Sequence, residues 1–447
     1  MTSFMELLNK AYGHLSTFTI PGWGRLVVIN RTEWLAHVKK SIVYSYESTG
    51  PVALSIFEQF PGLGTPVASE GEKWRASRKA IQPIFGVKSF QDQLATAMSD
   101  VTYADYDTFF VNATKDRLPF DWNDSFGRLA LSIFVKSNFN LDTTMLQEDP
   151  KALTDSHELI SSICELNEIS AACAFIQSVL LDGTWFRFRR TISVLWEAID
   201  GLIEERSKSL ALAGDVDSQE TDFFSTFLKS HSETNPVFTR NIMQPEWLNR
   251  MREETIALGQ SGQGPTFATL SACALLASLG ADELTSCHLT QSYVIHLAAF
   301  YETVRLWPGL PKNARYATAG DILPAVPELS IPETNIEKGT YVLWSDKIIM
   351  RDPLVWGPDA DEFNPARHIS DDGKFIKPSA PEFITFDAGP RYCPAASIVP
   401  YEWVFIWSTL LRLFDFEFLD TSKRSTGDFL ANQMADPFMV RVREREA

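Results

Sequence analysis

The sequence predicts a mainly α-helical protein with small β-sheets near both ends, an α+β arrangement of one domain spanning 1–447. Three observations carry this expectation. Amphipathic runs with apolar residues at helical spacing fill most of the stretch from Gly71 to Phe238. Short β-rich segments bounded by turn residues open the chain, and a proline-rich stretch of strand and loop character follows Pro308. No regular alternation of strand and helix occurs, which argues against a doubly wound parallel sheet.

Taken in order, Met5 to Tyr12 reads as a short amphipathic segment. A β-rich part covers about 12–60, with strands at Thr17 to Ile20 and Arg25 to Ile29 joined through Pro21-Gly22-Trp23-Gly24. Arg31 to Lys40 turns helical. The helical body, about 71–308, carries runs around Trp74–Ile84, Phe90–Thr108, Asp124–Asn138, Ser156–Cys173 and Ser193–Leu212. An acidic loop follows at Leu212–Thr221, and further helices are expected at Phe223–Lys229, Pro245–Leu258 and Leu289–Leu306. The last part, about 309–447, is strand and loop, then an apolar helix from Tyr401 to Phe414 and a closing strand from Pro437 to Arg445.

Bulk properties exclude several classes. A net charge of −17 lacks the basic footprint of nucleic-acid binding. Five scattered cysteines, Cys164, Cys173, Cys273, Cys287 and Cys393, form neither a disulfide framework nor a zinc pattern, so a reducing compartment fits best. Sequons at Asn30, Asn112 and Asn123 read as chance, since no positive n-region and apolar stretch opens the chain. The uncharged stretch Thr266 to Ala281 is too short for a membrane span and reads as a buried helix.

Chemistry concentrates at Phe386-Asp-Ala-Gly-Pro-Arg-Tyr-Cys-Pro-Ala395. Gly389 permits a tight turn, Arg391 brings positive charge two residues before the sulfur, and Pro394 suits the first position of a helix. A cysteine at a helix N-terminus is expected to have a lowered pKa. Cysteine thiolate is also one of the few axial ligands of haem iron, where it favours O–O cleavage. Glu302 and Arg305 share one helix face in Tyr301-Glu-Thr-Val-Arg-Leu-Trp-Pro308, and Arg367 stands where it can reach back to them. The spacing Phe-x-x-Gly-x-Arg-x-Cys resembles the haem-thiolate loop of the cytochrome P450 superfamily, and Glu302, Arg305 and Arg367 resemble its buried structural triad.

That resemblance covers nearly the whole chain and implies a fold, a cofactor and an activity. It implies the cytochrome P450 fold as a single haem domain, with haem b as cofactor and Cys393 as the axial ligand of its iron. Trp74 and Arg78 match the family's Trp-x-x-x-Arg helix, and Arg315, Arg391 and Phe386 complete the implied cofactor-binding set, with cations for the two propionates. The implied activity is monooxygenation of an apolar small molecule with electrons from an NADPH-dependent reductase or other donor, since no flavin or dinucleotide fingerprint is present. The wording Asp352-Pro-Leu-Val-Trp-Gly-Pro-Asp-Ala-Asp-Glu-Phe is similar to the fatty-acid and alkane ω-hydroxylase branch. Apolar stretches around Phe57–Phe60, Phe175–Phe188 and Leu310 suit a lipid-like substrate or a packed core equally.

Two family features are missing from the sequence. No membrane helix and proline-rich hinge precede the first catalytic-domain helix. The family expectation is the cytosolic face of the endoplasmic reticulum membrane; this chain reads as soluble, peripheral or truncated. The long central helix, with its Ala/Gly-Gly-x-Asp/Glu-Thr motif, is expected to be partly absent near Met243-Gln-Pro-Glu-Trp-Leu-Asn249. Thr266 and Thr269 are poorly placed to replace it, lying too close to Glu302 and beyond the charged helix, so no distal catalytic residue is identified. A haem-thiolate peroxide isomerase or dehydratase, which needs no proton relay, and an inactive remnant are the rival readings. Pro394 removes one N–H donor near the sulfur, Ala395 stands where glycine is usual, and Asp387 places an acid in the loop.

Overall fold

The computed structural model describes residues 2–41, 45–48, 50–52, 54, 68–82, 95–143, 145–146, 158–159, 161–162, 165–166, 169, 183–213, 222, 224–225, 294–379, 381–419 and 437–445. The helices expected at Pro245–Leu258 and Thr266–Ala281, and nearly all of those at Ser156–Cys173 and Phe223–Lys229, lie outside these residues, as does Met243–Asn249, where the central helix is expected to be partly absent.

The N-terminal segment forms α1 (Thr2–Tyr12), then the antiparallel hairpin of β1 (Leu15–Ile20) and β2 (Gly24–Ile29), with Gly22 and Gly24 at φ 84° and 87°. An L side chain rarely adopts that region, so glycine makes this turn possible. After α2 (Thr32–Ser41) and the short β3 (Tyr46–Glu47), helices α3 (Gly71–Ile81), α4 (Ala95–Asp105), α5 (Val111–Asp116), α6 (Trp122–Phe139), α7 (Thr184–Ala213) and α8 (Val294–Leu306) follow. A π-helical turn, Tyr106–Phe110, joins α4 to α5 and turns Phe109 and Phe110 fully inward. The two-residue β4 (Phe120–Asp121) precedes α6, whose N-cap Asp121 accepts from the Asn123 N–H at 2.9 Å.

Beyond α8 come β5 (Asn313–Ala317), β6 (Asp321–Leu323), β7 (Thr334–Ile336) and β8 (Tyr341–Trp344), then α9 (Val399–Leu413), β9 (Phe414–Phe418) and β10 (Met439–Glu444). The principal sheet has the order β1-β2-β8-β5-β3, with β2 and β8 parallel and the other neighbours antiparallel. Strands from both ends of the chain thus form one sheet, which brings α2 and β5 close to the segment carrying Cys393. β4, β10 and β9 form a second sheet, and β6 with β7 a two-stranded one.

The central core is aromatic. Trp122 on α6 packs against Trp407 on α9 at 5.4 Å between centroids, and Phe300 on α8 against Trp403 at 5.8 Å. Asn30, one of the three sequons, is buried, donates to Asn9 at 3.2 Å and accepts from the Ser345 N–H at 3.1 Å, so it offers no glycan acceptor in the folded chain. Among the described residues no helix is long and apolar enough to cross a membrane.

Candidate active site

The cysteine loop is closed by its own backbone. The Cys393 N–H donates to the Phe386 carbonyl at 2.8 Å, and the turn between them passes through φ 62° at Asp387 and 63° at Gly389. Aspartate is among the few residues that tolerate this region, helped by its own Oδ1 accepting from the Ala388 N–H at 2.8 Å. Cys393 then caps a four-residue 3₁₀ turn, Pro394–Ser397, ahead of α9. Phe386 packs on Phe383 with centroids 6.1 Å apart, and Phe383 on Tyr301 of α8 at 5.2 Å, so aromatic contact links loop to helix.

The expected depression of the Cys393 pKa does not appear. Burial pushes the thiol up, outweighing the Ala395 and Ala396 N–H groups at the sulfur and the Arg78 charge, while Asp387 adds to the rise. The four-residue turn is too short to supply a full helix dipole, and desolvation is a tertiary effect that the local wording does not carry. The Ala395 and Ala396 donors replace the one removed by Pro394. A sulfur so placed ionises when it coordinates a metal, because metal coordination deprotonates a thiol outright.

The remaining cofactor candidates converge on the same loop. Arg78 on α3 donates to the Tyr392 carbonyl at 2.6 Å. Arg391 lies over the Trp74 ring at 4.6 Å and donates to the Ser69 carbonyl at 3.0 Å and to the Glu70 carboxylate. Trp74 thus stands on the same helix as Arg78 and stacks with Arg391. Arg315 on β5 is 6% exposed and donates to Asp387 Oδ2 at 2.5 Å, while its Nε is buried with no hydrogen-bond partner among the described residues. Lys39 on α2, which sequence reasoning missed, pairs with Asp387 Oδ1 at 3.0 Å.

These side chains fit a dianionic group. Lys39, Arg78, Arg315 and Arg391 face Glu70, Asp387 and the fully buried Asp346, whose carboxyl burial pushes up to about 7 and which therefore holds less than a full charge at neutral pH. A positive surplus and an orphaned guanidinium nitrogen at the loop that carries a half-buried cysteine suit a porphyrin with two propionates and an iron.

Glu302, Arg305 and Arg367 come together in the structure, with further partners. Glu302 and Arg305 are 0% exposed; Arg305 Nε and Nη2 meet the two Glu302 oxygens at 2.8 Å each. Arg367 Nε donates to Glu302 Oε1 at 2.9 Å and its Nη2 to Asp359 at 2.9 Å. Arg305 also donates to the carbonyls of Met350 (2.7 Å), Ala360 (2.6 Å) and Glu362 (3.1 Å), pinning the meander between β8 and the cysteine loop. Two partners escaped the sequence reading: the buried His368, 3.1 Å from Glu302 Oε2, and the Asn364 N–H, 2.9 Å from Oε1. Asn364 and His368 flank Arg367 in the sequence, so their proximity was legible but their roles were not.

Thr266 and Thr269 lie outside the described residues, as do Phe57–Phe60 and most of Phe175–Phe188, while Leu310 is 47% exposed.

The family model described as "Cytochrome P450" matches residues 1–252 and 293–436, leaving Thr266 and Thr269 outside the match. The chain is similar, at 26% identity over 98% of its length and 71% of the relative's, to cytochrome P450 monooxygenase cyp1 of Mycosarcoma maydis. It is 22% identical to cytochrome P450 94B1 of Arabidopsis thaliana (99% of this chain, 87% of the relative) and 24% identical to cytochrome P450 monooxygenase claU of Ampulloclitocybe clavipes (92% and 80%). The first of these alignments runs over 472 positions against a chain of 447 residues, so that relative carries residues within the aligned span that have no counterpart here. With a cysteine loop, a buried Glu–Arg–Arg triad and a match over most of its length, the chain belongs to the cytochrome P450 family.

Proposed function

We propose that this protein is a haem-thiolate monooxygenase, a single haem domain in which Cys393 is the axial ligand of haem b. The observation that carries this reading is the half-buried Cys393, with the Ala395 and Ala396 N–H groups directed at its sulfur and three arginines gathered around its loop. Haem bound there supplies the splitting of dioxygen, with one atom entering a substrate C–H bond and the other leaving as water. The chain's own work is binding and positioning. Arg78, Arg315 and Arg391, with Trp74, would hold the propionates and Phe386 would line the porphyrin site, while Glu302, Arg305 and Arg367 keep the loop in place. Electrons come from an NADPH-dependent reductase or another donor. The substrate is an apolar, fatty-acid-like molecule, a reading supported by the Asp352–Phe363 wording and compatible with peripheral contact at the cytosolic face of the endoplasmic reticulum.

The direct test is the absorption spectrum of the reduced protein under carbon monoxide. A strongly red-shifted Soret band is expected; haem uptake without that shift would remove thiolate ligation. Turnover sets the second test. With reductase, NADPH and dodecanoic acid the expected product is a hydroxylated acid, formed only when NADPH is present. One observation favours a second reading: no Ala/Gly-Gly-x-Asp/Glu-Thr motif stands at the expected distance before Glu302. Activity confined to an added fatty hydroperoxide, with no NADPH requirement, would select rearrangement of peroxides instead.

A further inference from the structure

Asp387 is the residue of the cysteine loop whose chemistry the haem reading leaves unused. It stands at φ 62°, in the left-handed region that non-glycine residues other than Asp and Asn rarely adopt. Its carboxylate is shared between two cations from distant parts of the chain. Oδ1 accepts from Lys39 Nζ at 3.0 Å, and Oδ2 from Arg315 Nη2 at 2.5 Å. Both cationic side chains are only 7% exposed, and both stand over the Trp344 ring, Lys39 at 5.9 Å and Arg315 at 5.2 Å from its centroid.

Two cations buried side by side repel each other and lose their hydration, a penalty that an anion bridging them relieves. Asp387 is that anion. Asp346 also faces Lys39, but its carboxyl is bonded by Asn313 Nδ2 at 3.2 Å and burial holds it partly protonated at neutral pH. The Arg315 guanidinium is fixed by two bonds, Nη1 to the Ala314 carbonyl at 2.8 Å and Nη2 to Asp387, and its Nε is the atom left over.

We propose that Asp387 is a positioning residue of the site: by bridging Lys39 and Arg315 it fixes the cysteine loop against α2 and β5 and leaves Arg315 Nε to a porphyrin carboxylate. The proposal rests on the haem-thiolate reading above. Glycine would fit the backbone at this position, but it would leave Lys39 and Arg315 facing each other without an anion.

The test uses haem-loaded protein and two readouts, the rate of haem transfer to excess apomyoglobin and the reduction potential. Asp387→Asn keeps the shape, the tolerance of positive φ and the acceptor for Ala388 while removing the charge. It is expected to release haem about tenfold faster or more, the usual cost of losing a partner that orients a ligand. Arg315→Met should do the same, and the double variant should be no faster than the worse single variant, because one device is lost twice. The potential of Asp387→Asn should move upward, which a purely structural role would not produce. Should Asp387→Asn fail to fold, Lys39→Met carries the test and should likewise release haem faster than wild type. Wild-type release in these variants, or additive effects of Asp387→Asn and Arg315→Met, would overturn the clamp alone. Failure of the wild-type protein to hold haem would overturn both the clamp and the reading beneath it.

Discussion

Replacing Glu302 with glutamine or alanine is expected to lower the unfolding free energy by about 3–5 kcal/mol, the cost of breaking one partner out of a buried ion pair. Against a total of roughly 5–15 kcal/mol, such a loss removes a large share of the stability. The reason lies in the partners left behind. Arg305 is 0% exposed and its three carbonyl contacts orient its guanidinium without neutralising it. Arg367 keeps Asp359 as a counter-charge, so the penalty falls chiefly on Arg305. Arg305→Lys should be nearly as harmful as Arg305→Ala, because an ammonium cannot serve both Glu302 oxygens and three carbonyls in the directions a guanidinium does. His368→Ala removes one hydrogen bond and should cost about 1–2 kcal/mol. Urea unfolding followed by circular dichroism measures all of these variants. A loss under about 1 kcal/mol for Glu302→Gln would place the pair with exposed ion pairs and end its structural role.

The same variant carries a pH signature. Burial alone would push the Glu302 carboxyl up, but hydrogen bonds from Arg305 and His368, the Arg305 charge and the Asn364 N–H bring it down to about 2. The unfolded chain therefore binds this proton first as pH falls. The stabilisation is fully present above the ordinary value of 4.5 and is lost as pH drops toward about 2. The gap in urea midpoint between wild type and Glu302→Gln should be constant from about pH 5 to 7 and narrow below about 4.5. A gap that stayed constant down to about pH 3 would mean that glutamine harms the fold by shape and not by charge.

What the sequence disclosed and what it withheld divide along a physical line. The cysteine loop and Glu302–Arg305 are local wording: a turn needs Gly389, an i, i+3 pair needs one helix face, and both are legible in the amino-acid sequence alone. The β1–β2 hairpin is readable for the same reason, through Pro21-Gly22-Trp23-Gly24. The parallel pairing of β2 with β8, Leu26 against Tyr341, is not, because register between distant segments has no local signal. Lys39 and Glu70 escape the sequence likewise; each meets the loop from a separate element, and a single lysine in an amphipathic helix reads as solvated. The sign of the Cys393 shift is hidden for a related reason. Local dipole and charge argue downward, whereas desolvation depends on everything packed around the sulfur, including residues far away in the chain.

The Cys393→Ala variant is expected to separate ligation from folding. Cys393 is half-buried and its side chain contributes one sulfur at the edge of the central core, so its removal should cost the haem-free protein about 1 kcal/mol or less in urea. The triad and the Asp387 contacts do not involve the thiol and should survive. Haem should still be taken up at a lower ratio, because Arg78, Arg315 and Arg391 remain to meet the propionates. What should vanish is the red-shifted Soret band under carbon monoxide, together with NADPH-dependent product, since the electron donation that favours O–O cleavage comes from the thiolate. The three readouts decide between distinct causes. Loss of the band with a normal urea midpoint assigns the ligand; loss of both makes Cys393 a folding residue; a retained band passes the role to another side chain. Arg78→Ala gives the complementary pattern, a thiolate band that persists on protein whose haem leaves more easily, because it removes a cation beside the loop and not the ligand. Serine at Cys393 should behave as alanine does: a hydroxyl is a far weaker acid than a thiol, and in a site where burial already penalises charge it would remain protonated.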